Sequence, residues 1–255
     1  MLGAMIGDIV GSVYEWHNIK TTDFVLFKSD STFTDDTVLT AATTHALMTD
    51  GDYTAAYQDF ARRYPGRGYG GNFSRWIWAE DPQPYNSWGN GSAMRVSPVG
   101  FAFDTAEKVL AEAERSAAVT HNHPEGIKGA QATALAILLA RQGTSQSDIR
   151  REIAVRFDYD LDRKLDDIRP GYALDVSCQG SVPESIIAFL ESESYEDAIR
   201  KAISLGGDSD TIACITGGIA EAYYGGVPKE IAAEGRARLS GELVQIIEDF
   251  WEFIK

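Results

Sequence analysis

Cysteine is scarce in this chain: Cys178 and Cys214 are the only two. Whether they pair is a matter of geometry, and an intracellular enzyme keeps such residues as thiols. Long hydrophobic runs are also missing. The longest, Ala132 to Ala140 in "QATALAILLARQG", is bounded by Gln131 and Arg141 and falls far short of the roughly 20 residues that cross a bilayer. It reads as a buried helix. The stretch "MLGAMIGDIVGSVYEW" has no basic region and meets Asp8 early, so no secretory signal is expected and the cytoplasm is the default compartment. Positive charge is short as well, because 23 Lys and Arg face 38 Asp and Glu and leave a formal charge of −15. That balance argues against binding a nucleic-acid backbone, which needs clustered cations to displace counterions. An anionic small molecule remains open, provided that metal ions or backbone NH groups at helix N-termini invert the field locally.

No sustained alternation of apolar and polar residues appears, and neither does a fixed-period repeat or a linker. What is present is helical patterning. Ser145 in "SQSDIRREIAVRF", Ser194 in "SYEDAIRKAISL" and Ser181 in "SVPESIIAFL" each stand three residues before an acid, the spacing of a helix start. Asn122 or His123 caps a helix whose first turn holds Pro124. In "GELVQIIEDFWEFIK", Leu243, Ile246, Ile247, Phe250 and Ile254 recur at helical spacing. With 44% hydrophobic residues, the chain is long enough to bury one large core. The expected architecture is an all-α single domain over residues 1–255. One region departs from this pattern. Residues 64–100, "YPGRGYGGNFSRWIWAEDPQPYNSWGNGSAMRVSPVG", are rich in Gly, Pro, Asn and aromatics, too long for a mere connector and of the kind that carries function.

Acid is concentrated in two places. "STFTDDTVLTAAT" sets Thr34, Asp35, Asp36 and Thr37 before an apolar helical pattern, and "SLGGDSDTIACITGG" sets Asp208, Asp210 and Thr211 behind Gly206 and Gly207. Adjacent side chains diverge by about 100° on a regular helix, so Asp35 and Asp36 converge only where the backbone is turning. Each cluster taken alone reads equally as caps on its own helix. Together they make four carboxylates that repel one another unless a cation lies between them. An oxygen-only set of Asp and Thr suits Mg²⁺, Mn²⁺ or Ca²⁺; the lack of paired Cys or His disfavours zinc, and the spacing is not that of an EF-hand.

Six stretches, in order along the chain, resemble the ADP-ribosylglycohydrolases, a family that includes the dinitrogenase reductase-activating glycohydrolases and the eukaryotic ADP-ribosyl-acceptor hydrolases. They are "GAMIGDIVGSVYE" at 3–15, "FTDDT" at 33–37, "GRGYGG" at 66–71, "WGNGSAMRVSPVG" at 88–100, "THNHPEGIKGAQA" at 120–132 and "LGGDSDTIACITGGIAEAYYG" at 205–225. The resemblance implies an all-α fold with a binuclear magnesium centre. It implies two Mg²⁺, with Mn²⁺ as a substitute, held by Thr34, Asp35, Asp36, Asp208, Asp210 and Thr211. It also implies that Glu15 lies near the metals on a segment able to move over the substrate; Gly3, Gly7 and Gly11 before it suggest a closely packed helix or turn. The resemblance does not extend to an alignment of the "WHNIK" that follows.

The same resemblance gives the loops a role. Ser87, Gly89, Asn90, Gly91 and Ser92 leave backbone NH groups accessible to a diphosphate, as do Gly68 and Gly70. Trp88 matches an aromatic set against adenine, with a core or rim tryptophan as the alternative, and His121 matches a histidine that approaches the ligand. Arg95 reads as an interior ion pair or a phosphate contact. The implied reaction is hydrolysis at C1″ of the distal ribose of ADP-ribose, through an oxocarbenium-like state. Catalysis is expected from Glu15, Asp35 and Asp36, with either Asp36 or Glu15 handling the water. The partner is an ADP-ribosylated protein, modified on arginine or serine. Alternatives are a small conjugate such as O-acetyl-ADP-ribose, a modified nucleobase, or a non-catalytic binding protein on the same scaffold. No membrane association is expected, and the chain is expected to be a monomer.

Overall fold

A computed structural model describes residues 1–255. The chain folds into fifteen helices and no strands. In order they are α1 Leu2–Gly11, α2 Asp35–Met48, α3 Tyr53–Arg63, α4 Gly71–Trp76, α5 Gly91–Met94, α6 Ser97–Ala102, α7 Ala106–Ala118 and α8 Pro124–Arg141. Then follow α9 Gln146–Phe157, α10 Leu165–Ile168, α11 Cys178–Leu190, α12 Tyr195–Ser204, α13 Ser209–Tyr223, α14 Lys229–Arg236 and α15 Gly241–Phe253. The one sheet-like feature is an isolated antiparallel bridge between Gly89 and Ser177.

Polar caps set most helix starts where they are expected. Ser145 and Ser194 accept from the NH groups of Asp148 and Asp197, and the His123 side chain accepts from Glu125 NH ahead of Pro124. The helix expected to start at Ser181 begins a turn earlier instead. Ser177 caps it by accepting from Gly180 NH, and Ser181 lies inside the helix, its hydroxyl donating to Ser177 O at 2.7 Å. Pro183 is therefore interior rather than in the first turn. Region 64–100 is not all loop, since α4, α5 and most of α6 form within it.

α1 and α13 cross antiparallel at backbone contact, and this crossing positions the site. Gly3, Gly7 and Gly11 recur every four residues, so they share one face of α1. A Cβ on Gly7 would stand 2.0 Å from Ala213 O, and one on Gly11 would stand 2.5 Å from Asp210 Cα. Both are impossible contacts, so glycine is what lets α1 reach the first turn of α13. Around this pair α8 is buried along almost its whole length and packs against α5, α6, α7, α9, α11 and α13. Cys178 and Cys214 are both buried free thiols.

Candidate active site

Two helix N-termini meet at the floor of a cavity. Thr34, with extended backbone, caps α2, and its hydroxyl accepts from Asp36 NH at 3.3 Å. Asp208 precedes α13, after Gly206 and Gly207, which both have φ of +71°. A Cβ on Gly207 would also stand 2.6 Å from the Tyr172 ring, so this sharp turn requires glycine. The two segments meet across 175 residues of sequence, where Thr211 Oγ1 donates to Asp36 Oδ1 at 3.4 Å. Carboxylate oxygens of Glu15, Asp208 and Asp210 lie within 4.8 Å of one another. Thr34, Asp35, Asp36 and Thr211 line the same cavity. All seven residues expected at the metals or the chemistry are thus brought together.

A buried residue that sequence reasoning passed over holds this floor in place. Asp8, fully buried on α1, accepts from Thr34 NH at 2.9 Å, Thr34 Oγ1 at 2.7 Å and Thr37 NH at 3.1 Å, and from the Thr37 hydroxyl. It joins α1 to the first turn of α2. Its signal was an acid alone in the otherwise apolar "LGAMIGDIVG". Asn18 was missed too. Its side chain accepts from Gly207 NH at 2.8 Å and donates to Gly207 O at 3.0 Å and to Glu15 O at 2.8 Å, tying the Glu15 segment to the turn before Asp208.

The electrostatics of this end are lopsided. Burial pushes the Asp35 carboxyl up to about 8 and raises Asp36 and Asp210 well above the ordinary range; repulsion from neighbouring acids adds to each. Burial likewise raises Asp208 and the half-buried Glu15. The ion pairs of the chain lie elsewhere, as in Arg163 with Glu184 and Arg200 with Glu196. Asp36 Oδ2 is buried with no hydrogen-bond partner, an uncommon and costly condition for a carboxylate oxygen. Clustered hard oxygens, mutual repulsion and an orphaned oxygen together fit a divalent cation. This acidic cluster is able to coordinate a metal.

The cavity, about 330 Å³ in volume, rises from that floor. Gly68 and Gly70 line one wall; Ser87, Gly89, Asn90, Gly91 and His121 line another. Asn90 bridges the two ends, its Nδ2 donating to Asp208 Oδ2 at 2.7 Å. Two residues expected at the substrate lie apart from the cavity lining. Ser92 is fully buried, its hydroxyl donating to Gly126 O at 2.6 Å. Trp88 is 53% exposed on the rim, with its indole edge-on to His123 at 5.7 Å. Its carbonyl accepts from Cys178 NH at 2.9 Å, and Val176 O accepts from Asn90 NH at 2.8 Å; these bonds pin the loop and turn the indole outward. Arg95 makes no interior ion pair, although it lines the cavity fully buried.

The chain resembles known proteins over nearly its full length. ADP-ribosylhydrolase ARH3 of Mus musculus is 29% identical over an alignment 305 positions long, gaps included, that covers 88% of this chain and 82% of the mouse protein. ADP-ribosylarginine hydrolase Tri1 of Serratia proteamaculans is 26% identical over 165 residues, covering 60% of this chain and 43% of that protein. A solved structure described as an ADP-ribosylglycohydrolase-related protein complex has the same fold, with a TM-score of 0.68 and 23% identity over 96% of both chains. The sequence profile of the ADP-ribosylglycohydrolase family matches residues 1–254. The protein therefore belongs to the ADP-ribosylglycohydrolase family and is a hydrolase that acts on ADP-ribose conjugates.

Proposed function

We propose that the chain is a Mg²⁺-dependent hydrolase of the bond between C1″ of ADP-ribose and a protein side chain, arginine or serine. The observation that carries this reading is the convergence of two distant acid segments and Glu15 under one cavity, with no lysine or arginine ion-paired to any of them. Thr34, Asp35, Asp36, Asp208, Asp210 and Thr211 would hold two Mg²⁺, for which Mn²⁺ would substitute. When bound, the metals would supply Lewis acidity and ribose orientation.

The chain's own groups do the rest. The Gly68–Gly70 wall and Gly91 offer backbone NH groups to a diphosphate, those of Gly89 and Asn90 being held by Ser87 Oγ and Val176 O, and so fix one end of the ligand, which converts binding into orientation of the distal ribose. Glu15 stands at the half-exposed margin of the acid cluster, where an acceptor side chain leaves and water enters. Glu15 or Asp36 orients the water and takes its proton. The name of the Serratia relative supports arginine as one acceptor.

Purified protein with Mg²⁺ should release ADP-ribose from arginine- or serine-modified peptides. Chelation and Asp36→Ala should each abolish release. Turnover that survives both contradicts the metal-centred reading. Turnover of O-acetyl-ADP-ribose alone would shift the assignment to small conjugates.

A further inference from the structure

Three tryptophans stand well exposed, and two of them have a partner at the ring. The Arg62 guanidinium lies over Trp78 at 5.3 Å from the ring centroid, and His123 meets Trp88 edge-on. The third, Trp16, is 73% exposed and has neither a cation nor an aromatic ring against it. It directly follows Glu15, whose carboxylate lies within 4.8 Å of those of Asp208 and Asp210. We propose that Trp16 determines acceptor specificity: its indole face and the Glu15 carboxylate clamp the flat guanidinium of an ADP-ribosylated arginine, which makes arginine the preferred acceptor over serine. This assignment rests on the function proposed above and selects between the two acceptors that it allows.

The indole is turned toward the carboxylate. Burial and the charge of Asp208 raise the Glu15 carboxyl above its ordinary range, and a hydrogen bond from the Trp16 side chain opposes them. An indole NH only donates, so the ring gives its edge to Glu15 and leaves its faces uncovered. The backbone on either side is fixed. Tyr14 is buried, packs edge-on against Phe24 at 5.1 Å and lies under the Lys28 ammonium at 4.3 Å. Asn18 donates to Tyr14 O at 2.7 Å and to Glu15 O at 2.8 Å, and exchanges two further bonds with Gly207. A held turn thus presents Trp16 at the cavity margin, and a ligand that covers the ring orders little else.

Charge selects a cation for this place. The charges that act on Glu15 from nearby are those of Asp208 and Asp8, both negative. Arg67, on the same cavity wall, is engaged elsewhere: its guanidinium lies 3.8 Å from the Phe33 centroid and donates to Phe33 O at 3.1 Å and to Thr32 Oγ1 at 3.2 Å. A guanidinium is flat, stays charged at neutral pH, and offers paired NH groups along its edge to a carboxylate while its face rests on an aromatic ring. The chain uses that stacking for its own arginines at Trp78, Phe33 and Tyr57. A ribosylated serine presents a neutral oxygen instead, with neither a plane to stack nor a charge to pair.

Steady-state hydrolysis of two peptides of one sequence, ADP-ribosylated on arginine or on serine, tests the assignment on the full chain with Mg²⁺. The wild type should favour the arginine peptide in kcat/KM by about tenfold or more, and Trp16→Leu should cut the arginine-to-serine ratio about tenfold. Trp16→Phe keeps an aromatic face and should retain most of the preference. Because the indole is exposed, the unfolding midpoints of both variants should stay near that of the wild type. A wild type that turns over the serine peptide as well as the arginine peptide, or better, overturns the inference whatever the variants do, and leaves the proposed function standing. So does a ratio that Trp16→Leu leaves unchanged, or that Trp16→Phe loses as fully as Trp16→Leu. No turnover of either peptide by the wild type overturns the proposed function, and the acceptor assignment with it.

Discussion

At one end of the cavity five carboxylates, Glu15, Asp35, Asp36, Asp208 and Asp210, face inward without a lysine or arginine paired to them; at the other, Arg95 is buried with no carboxylate. Isolated buried charges cost several kcal/mol each, and folding usually pairs them or keeps them in water. Pairing was available here, because both ends share one cavity and Asn90 already reaches Asp208 from the loop side. The separation supports the proposed ligand, in which a cation would settle on the acid floor and an anion at the loops. A metal-bound ribose carrying a diphosphate satisfies both.

The sharpest way to break this comparison is to neutralise the acid end while keeping its shape. Asp36→Asn should lower turnover on the order of a thousandfold or more. It should also make the metal-free protein more stable by about 0.5–2 kcal/mol in urea unfolding, because a repelling buried charge is gone. A variant that loses activity but is also destabilised would mean that Asp36 supports the fold rather than a metal. Asp8 makes the contrasting case, since its carboxylate is fully used by Thr34 and Thr37. Asp8→Ala strands those donors and should cost about 3–5 kcal/mol, read in the same unfolding experiment.

A smaller effect tests how the Glu15 segment is held. Asn18→Ala removes the bonds to Gly207 and to Glu15 O. It should reduce kcat roughly tenfold and leave ADP-ribose affinity within about twofold, with a stability loss near 1 kcal/mol. Equal losses in kcat and affinity would show instead that Asn18 shapes the ligand pocket as a whole.

Much of the acid end was legible in the sequence because its signals are local. A cap residue followed by paired acids, or a glycine pair followed by acids, specifies both a helix start and the side chains that crowd there. The all-helical fold was legible through the same caps and apolar spacing. What escaped depends on contacts that no local pattern encodes. Asn18 meets Gly207 across 189 residues. Arg95 gains its meaning from Ser116 and Thr120 at the C-terminal end of α7. Trp88 matches a ligand-facing position, yet its indole direction follows from backbone bonds to the 176–178 segment. Ser181 misled for a different reason: the "SVPE" spacing imitates a helix start, but α8 and α13 bury a helix already under way from Cys178.

The central claim, that residues 34–36 and 208–211 enclose divalent cations in one pocket, is tested most directly by anomalous diffraction from crystals soaked in Mn²⁺. The account predicts two peaks between the carboxylates of Asp36, Asp208 and Asp210, both lost in Asp36→Asn crystals. No peak there, or peaks held only by surface acids, would contradict it.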